Sequence, residues 1–488
     1  MTDYDYYLTK VGETGSVEQI VGSIVYASGL ANVRPHELVI FENGKQGQVF
    51  SLTSSLVEIL IFTKHPIKVG TKIVRTGHFL EIPVGKQLLG KTVDPFGKSI
   101  QSSKPVKKTD EKRPVEASPL GIVDRRTIKK PLETGVSVVD LLIPIGKGQR
   151  ELIIGDRKTG KTNFILQAAV TAAKKGDICV YCAIGKKRSD IKRAEEFFIK
   201  HKVIKNVVIV STTSQDAPGS IYLTPYSAMT VAEYFKDQEK DVLVILDDLS
   251  THAKFYREIA LLGKRFPGRN SYPGDVFYAH SRIMERAGNF ITEKGECAIT
   301  CLPVVETTQG DLSGYIQTNL MSMTDGHLFF DSNFFYQGRR PAVNPFLSVT
   351  RVGRQTQTNL RRSLSRELIS FLNLYDKMQN FIHFGAELND AAKVTLSTGN
   401  KILRFFNQDA GQLIAGNIQI LLSSMIWAQV IHEENFEKLA GNKKKINSLY
   451  KRNRNFRNEI DNLINTSSSF TELVGKTKIN QEKLSELL

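Results

Sequence analysis

Over the first 81 residues, apolar positions come in short runs broken by glycine, asparagine and charged residues, the pattern of β-strands. Ser16–Tyr26 alternates in part, Glu37–Phe41 and Leu56–Phe62 are apolar runs, and Lys72–Gly77 adds another. Asn43-Gly44 follows the second run, and Asn-Gly between apolar runs signals a tight hairpin. Five or six short strands at this spacing predict a small barrel. From about residue 135 the pattern changes: Arg150–Gly155, Ile178–Ile184, Val203–Ser211 and Val242–Leu246 are apolar, and helical patterns at Asn163–Lys174 and Ser189–Lys200 lie between them. Apolar strands separated by helices predict a parallel sheet covered on both faces. Beyond residue 358, Leu360–Tyr375, Ala391–Phe406 and Ile418–His432 repeat apolar residues at three- and four-residue spacing, which predicts helices. The predicted organisation is a barrel domain over residues 1–81, an α/β domain over 82–357 and a helical domain over 358–488.

Composition narrows the classes. The chain has 488 residues, 41% hydrophobic and 24% charged, which excludes a mostly disordered, collagenous or disulfide-dense protein. No apolar run reaches the ~18 residues of a membrane-spanning helix, and the polar, acidic start is no signal peptide. A soluble intracellular chain is expected. The net charge of +16 favours an acidic partner without choosing one. Part of it is local: Gln101–Arg113 is a lysine-rich surface connection, and Lys443–Arg457 is read as a solvated helix face beyond a break at Gly441-Asn442. Met1–Thr14 shows no helical apolar stripe and contains Gly12. The pairs Cys179/Cys182 and Cys297/Cys301 suggest a zinc site, but they lie in apolar strand runs, where Cys179 and Cys182 point to opposite faces. They read as reduced core thiols.

Gly155-Asp156-Arg157-Lys158-Thr159-Gly160-Lys161-Thr162 fits the P-loop pattern, with a strand before it and a helix after. Glycines let consecutive N–H groups face phosphate oxygens, and the helix N-terminus adds positive potential. Lys161 reaches the β- and γ-phosphates, and the Thr162 hydroxyl joins a Mg²⁺ shell. Asp247, ending the run Val242–Leu246, is the metal-side carboxylate. ATP and Mg²⁺ are the expected ligands. Hydrolysis also needs a group to polarise the attacking water. A carboxylate is expected after the neighbouring strand, yet the slot after Gly185 holds Lys186, a cation that cannot accept a proton. A subunit that holds nucleotide but turns it over poorly is expected.

At these residues the chain resembles the alpha subunit of the F-type ATP synthase catalytic head. The resemblance is carried by Glu133–Asp140, Pro144–Gly155, Pro225–Ala228, Asp247–Ser250, Pro267–Arg282 and Ser348–Gly353, and spans about Gly15 to Gln412. It implies a RecA-like P-loop α/β core with an N-terminal small β-barrel and a C-terminal α-helical bundle. It also implies a ring of three alpha and three beta subunits around a gamma-type central stalk, coupled to proton transport. Alpha's own nucleotide sites are then non-catalytic. The complex sits peripherally on the cytoplasmic side of a membrane, a bacterial plasma membrane in particular, and alpha meets the membrane only through it. Arg351 falls on the family's arginine finger, offered in trans to the beta site, where a planar cation stabilises charge on the γ-phosphate. Ser348 and Ser313 match interface positions near that site. Phe335 and Arg340 match positions lining alpha's own nucleotide pocket, and Gln408 one near the adenine. Lys158 and Lys186 stand where the family usually has Gln, and two added cations either tighten triphosphate binding or replace magnesium. Ala410 stands in place of a second adenine-side Gln. The family's amphipathic N-terminal stator helix has no counterpart in Met1–Thr14, so stator docking by the usual route is not expected. An ATP-driven motor with another stator and output keeps the same head. A ring helicase moving RNA would need its own catalytic carboxylate and stacking aromatics on the barrel, so no nucleic-acid partner is expected.

Overall fold

The computed structural model describes residues 2–100, 111–383, 390–431 and 439–485, so most of the lysine-rich connection 101–113 lies outside them. Two compact units emerge, each assembled from separate stretches of chain.

The first unit opens with the barrel. Strands β1 (Thr14–Val21), β2 (Ile24–Ser28), β3 (Glu37–Phe41), β4 (Gln46–Leu52), β5 (Val57–Ile61) and β6 (Lys72–Phe79) close in the order β1-β2-β5-β4-β3-β6. Closure removes the unpaired edges that a short sheet would expose. The Asn43-Gly44 turn forms as predicted, with the Gly44 N–H donating to the Phe41 carbonyl. Inward residues Val25, Val39, Phe41, Val49, Ile59 and Ile73 are completely buried. The same unit contains a parallel sheet in the order Gly295–Glu306, Val242–Asp247, Ile178–Lys186, Val207–Thr213 and Thr92–Val93, with Gly288–Thr292 antiparallel on its first strand. Four of these strands are almost wholly buried, which is why they read as continuous apolar runs rather than alternating ones. All four cysteines are buried there as free thiols.

A short helix that no apolar stripe announces precedes the barrel, α1 (Asp3–Val11). Thr2 and Asp5 make a reciprocal capping box, and Gly12, left-handed at φ 74°, closes the C-terminus. No residue of α1 is fully buried, so no apolar stripe marks it; Tyr7 lies edge-on to His78 of β6.

The second unit contains the strand Glu151–Gly155 parallel to Gly326–Phe330, with Val349–Thr350 antiparallel beyond it. Its helices include Lys161–Lys174, Asn359–His383, Asp390–Phe406, Gly416–Trp427, Leu439–Arg452, Arg454–Asn465 and Phe470–Ile479. Asp140, fully buried, accepts hydrogen bonds from Thr134 N and Oγ1, Gly135 N and Gln419 Nε2 at 2.7–2.9 Å. The Glu133–Asp140 motif is thus a knot joining a loop to a C-terminal helix.

Three helical expectations are corrected. The predicted helix to His432 stops at Trp427, and Gln429 adopts a left-handed φ of 59°. Gly441 and Asn442 lie inside the helix Leu439–Arg452, where packing overrides their weak propensity. The basic segment is not all solvated: Lys443 is 1% exposed. Its ammonium donates to the carbonyls of Arg404 (3.1 Å), Phe405 (2.6 Å) and Asn407 (3.1 Å), satisfying orphan acceptors at the end of the helix Asp390–Phe406. Burial pushes its pKa down to about 8. The unfolded chain, with the ordinary value near 10.4, therefore binds more protons between these limits, and stability rises with pH across the window. Chemical denaturation from pH 7.5 to 11 should show a gain of about 3 kcal/mol that disappears in Lys443→Met. Parallel pH profiles for the two proteins would refute this.

Candidate phosphate and nucleotide site

In the second unit the P-loop joins the strand Glu151–Gly155 to the helix Lys161–Lys174. Gly160 has φ 99°, a conformation natural to glycine alone, and open space where a side chain would start. Lys158 also takes a left-handed φ of 64°, with its side chain exposed. Lys161 is 7% exposed, and its ammonium spans the loop to the carbonyls of Gly155 (2.7 Å) and Asp156 (2.6 Å). The cation is thus held over the loop, where phosphate oxygens can exchange with those carbonyls. Thr162 is exposed on the first helical turn, and Arg157 is exposed on the loop. Thr159 is buried and donates to the Asp156 carbonyl.

Asp156 has a role that its place in the motif does not announce. Its Oδ1 accepts from Thr307 Oγ1 (2.6 Å) and Gly310 N (2.9 Å), and its Oδ2 from Ser332 Oγ (2.7 Å). Burial opposes the charge, but these bonds outweigh it and hold the carboxyl below its usual range. It braces the loop's entrance to two distant segments. Only their folding together reveals this, since Thr307 and Ser332 lie far away in sequence.

Three of the residues matched by resemblance to a nucleotide pocket, Phe335, Arg340 and Gln408, come together. Phe335 lies on the short helix Ser332–Tyr336, and the Arg340 guanidinium stacks over its ring at 3.7 Å. Gln408 N donates to the Arg340 carbonyl at 2.6 Å. The Gln408 amide itself is spent on the protein: Oε1 accepts from Ser137 N (2.6 Å), and Nε2 donates to the Gly135 and Gln412 carbonyls (3.0 and 2.9 Å). It shapes the loops rather than presenting a free amide.

Arg351 follows the edge strand Val349–Thr350 and is exposed. Its backbone is held firmly. The Arg351 N–H donates to the Asp325 carbonyl at 3.0 Å, and Thr350 Oγ1 donates to the Pro144 carbonyl at 2.9 Å. Gly353 packs so closely that an added Cβ would sit 1.6 Å from that same carbonyl. Among the described residues the guanidinium has no ion-pair partner. Ser348 Oγ donates to the Asn344 carbonyl (2.6 Å) and accepts from Phe329 N (2.9 Å), so it holds this edge together. Ser313, in the first unit, is exposed just before the helix Tyr315–Met323.

Also in the first unit, the parallel register pairs Ala183 with Asp247 and brings the two strand ends side by side. Lys186 Nζ lies 2.7 Å from Asp247 Oδ1 and 3.0 Å from Asp248 Oδ2. Burial would push this ammonium's pKa down, but the two carboxylates outweigh it and hold it above the ordinary lysine range.

Residues 135–350 match the ATP synthase alpha/beta family's nucleotide-binding domain, and residues 357–480 match the C-terminal domain of the ATP synthase alpha/beta chain. A curated ATP synthase subunit alpha from Limosilactobacillus fermentum is 40% identical over 400 residues, covering 82% of this chain and 78% of that protein. The chain belongs to the ATP synthase alpha subunit family. It is part of an ATPase complex, and its P-loop domain is the family's nucleotide-binding domain. The barrel, the parallel α/β sheet and the C-terminal helices are the family fold. No described helix is long and apolar enough to cross a membrane.

Proposed function

We propose that this chain is the non-catalytic alpha subunit of a rotary ATPase head. It binds ATP on its own P-loop, alternates with beta-type catalytic subunits around a gamma-type stalk, and lends Arg351 to the beta site. The observation that carries the reading is Lys186. It fills the slot where a self-sufficient ATPase carries its water-activating carboxylate, and it is tied to Asp247 and Asp248. A lysine kept protonated there cannot take a proton from water.

The chain's residues divide the work. Lys161 and the P-loop amides hold phosphate charge, and Arg157 and Lys158 add positive potential. Phe335 and Arg340 wall the base side, with Gln408 setting the loops behind them. Thr162 supplies the hydroxyl for magnesium, which neutralises phosphate charge when bound. Arg351, Ser348 and Ser313 belong to the surface that meets beta. Turnover at the beta site then drives the stalk, and coupling to proton movement across a membrane lies in the rest of the complex, on its cytoplasmic face.

Native mass spectrometry with nucleotide analysis, on the complex taken from its own cells, tests this. Three copies of this chain with three of a beta-type chain and a stalk subunit, plus ion-channel subunits, is the expected result. A homohexamer of this chain would overturn it. The same ring without ion-channel subunits would keep the alpha assignment and remove proton transport.

A further inference from the structure

A cavity of about 450 Å³ opens on the second unit, where the loop 353–358 meets the first turns of the helix Asn359–His383, and every residue lining it belongs to that unit. Its volume is that of a small-ligand site. Arg354, Arg361, Arg362 and Arg366 line it, and among the described residues no aspartate or glutamate does. Arginine stays protonated in proteins, so the wall carries four positive charges. Little on the chain offsets them. Arg361 lies 3.7 Å from Glu133, and Arg362 donates to the Gln355 carbonyl at 2.8 Å. Arg354 and Arg366 are exposed, and their guanidiniums make no hydrogen bond or ion pair among the described residues. Local physics opposes this arrangement. Arg361 and Arg362 stand in the first turn of the helix, where the backbone N–H groups already supply positive potential and no acidic residue balances it. Arg362 and Arg366 are four residues apart on that helix, a spacing at which like charges repel.

Two buried groups narrow the chemistry. Gln357 and Ser365 line the same cavity and are each 8% exposed. Gln357 Nε2 donates to Thr356 Oγ1 at 3.2 Å, while its Oε1 is buried and accepts from nothing. The Ser365 hydroxyl makes no hydrogen bond among the described residues. A buried polar group left without a partner is costly. A ligand that donates to Gln357 and accepts from Ser365 satisfies both. We propose that this cavity binds a phosphate ester that also carries a hydroxyl. The arginines and Ser365 take the phosphate oxygens, and Gln357 Oε1 takes the hydroxyl proton. Guanidinium forks match phosphate oxygens in pairs, which a lone ammonium cannot do. A sugar phosphate, or the ribose phosphate of a nucleotide, has this chemistry. The site shares no residue with the loop 155–162 and needs neither that loop nor the ring.

The test is isothermal titration calorimetry on the purified complex. Ribose 5-phosphate is the hydroxylated ester, and sulfate is an anion with no proton to donate. Wild type should bind ribose 5-phosphate at one site per copy of this chain. The double variant Arg354→Gln/Arg366→Gln should bind it at least tenfold more weakly, having lost two charge-assisted contacts. Gln357→Leu should weaken ribose 5-phosphate severalfold and leave sulfate unchanged. Without ligand the double variant should melt no lower than wild type, because removing two of four like charges relieves repulsion. Wild type that binds neither probe at millimolar concentration would overturn the proposal. So would equal binding of ribose 5-phosphate by wild type and the double variant. A double variant that melts lower would make these arginines structural, and one that no longer assembles would make them partners of a neighbouring subunit's carboxylates; either result overturns the proposal. None of these outcomes bears on the P-loop or on Arg351.

Discussion

Arg351→Ala should lower ATP turnover by the complex roughly 10³–10⁵-fold while leaving ring assembly and this chain's nucleotide content unchanged. The size follows from what a positioned guanidinium does: it meets charge that develops on the transferring phosphoryl group, where little else can reach. The selectivity follows from the local structure. Arg351 is exposed, its guanidinium makes no ion pair among the described residues, and its backbone is held by Asp325 and the Thr350–Pro144 contact, which alanine preserves. Truncation therefore removes little folding energy. Arg351→Lys should recover only a small part of the rate, because a point charge lacks the planar fork. Steady-state ATPase assays on matched complexes decide the matter. A near-normal rate in the alanine variant would falsify the finger assignment, and loss of ring assembly would make Arg351 an interface anchor instead.

Arg286→Met should destabilise the fold by about 3–5 kcal/mol, the cost of breaking a buried ion pair from one side. Arg286 is 2% exposed. Nε and Nη2 donate to the two oxygens of Glu233 at 2.8 and 2.6 Å. Nη1 donates to the Val115 carbonyl at 2.9 Å and the Tyr226 carbonyl at 3.3 Å, and Nη2 also donates to Thr230 Oγ1 at 2.8 Å. Methionine fills much of the volume but leaves the Glu233 carboxylate without its cation and takes one donor from each of the Val115 and Tyr226 carbonyls. Urea unfolding of wild type, Arg286→Met and the double variant with Glu233→Gln measures this. The double variant should recover part of the loss, because neutralising Glu233 removes the stranded charge. Additive losses, or a single-variant cost below 1 kcal/mol, would show that the cluster is a surface pair in energetic effect.

Neither Arg286 nor Lys443 stood out in the sequence as a structural cation. Lys443 opens a run of three lysines and Arg286 stands between Glu285 and Ala287, and the default for such charged residues is solvent exposure. The helix α1 was missed for a related reason. Its capping box Thr2–Asp5 spans only three positions, but nothing along Asp3–Val11 is fully buried, so the apolar periodicity that normally announces a helix is faint. At Gly441-Asn442 the error ran the other way, since local propensity argued for a break and the packing of Lys443, Ile446 and Asn447 carried the helix through.

What the chain's order of residues settled is whatever is built from neighbours. The P-loop needs a strand, an eight-residue loop with its glycines, lysine and threonine at fixed positions, and a helix in succession, and all are contiguous from Glu151 to Lys174. The Asn43-Gly44 hairpin and the apolar strands of the parallel sheet are equally local, because turn chemistry and burial on both faces act residue by residue. Folding in three dimensions settled whatever joins distant segments. Asp156 became a brace only when Thr307 and Ser332 met it, and Gln408 became a loop support only beside Gly135 and Ser137. Lys186 could be seen from sequence to lack a carboxylate's chemistry. That it neutralises Asp247 and Asp248 followed only from two parallel strands lying in register. The reason is physical: propensity and periodicity are written in nearest neighbours, whereas the partner of a buried charge is chosen by whichever group the topology brings within hydrogen-bonding distance.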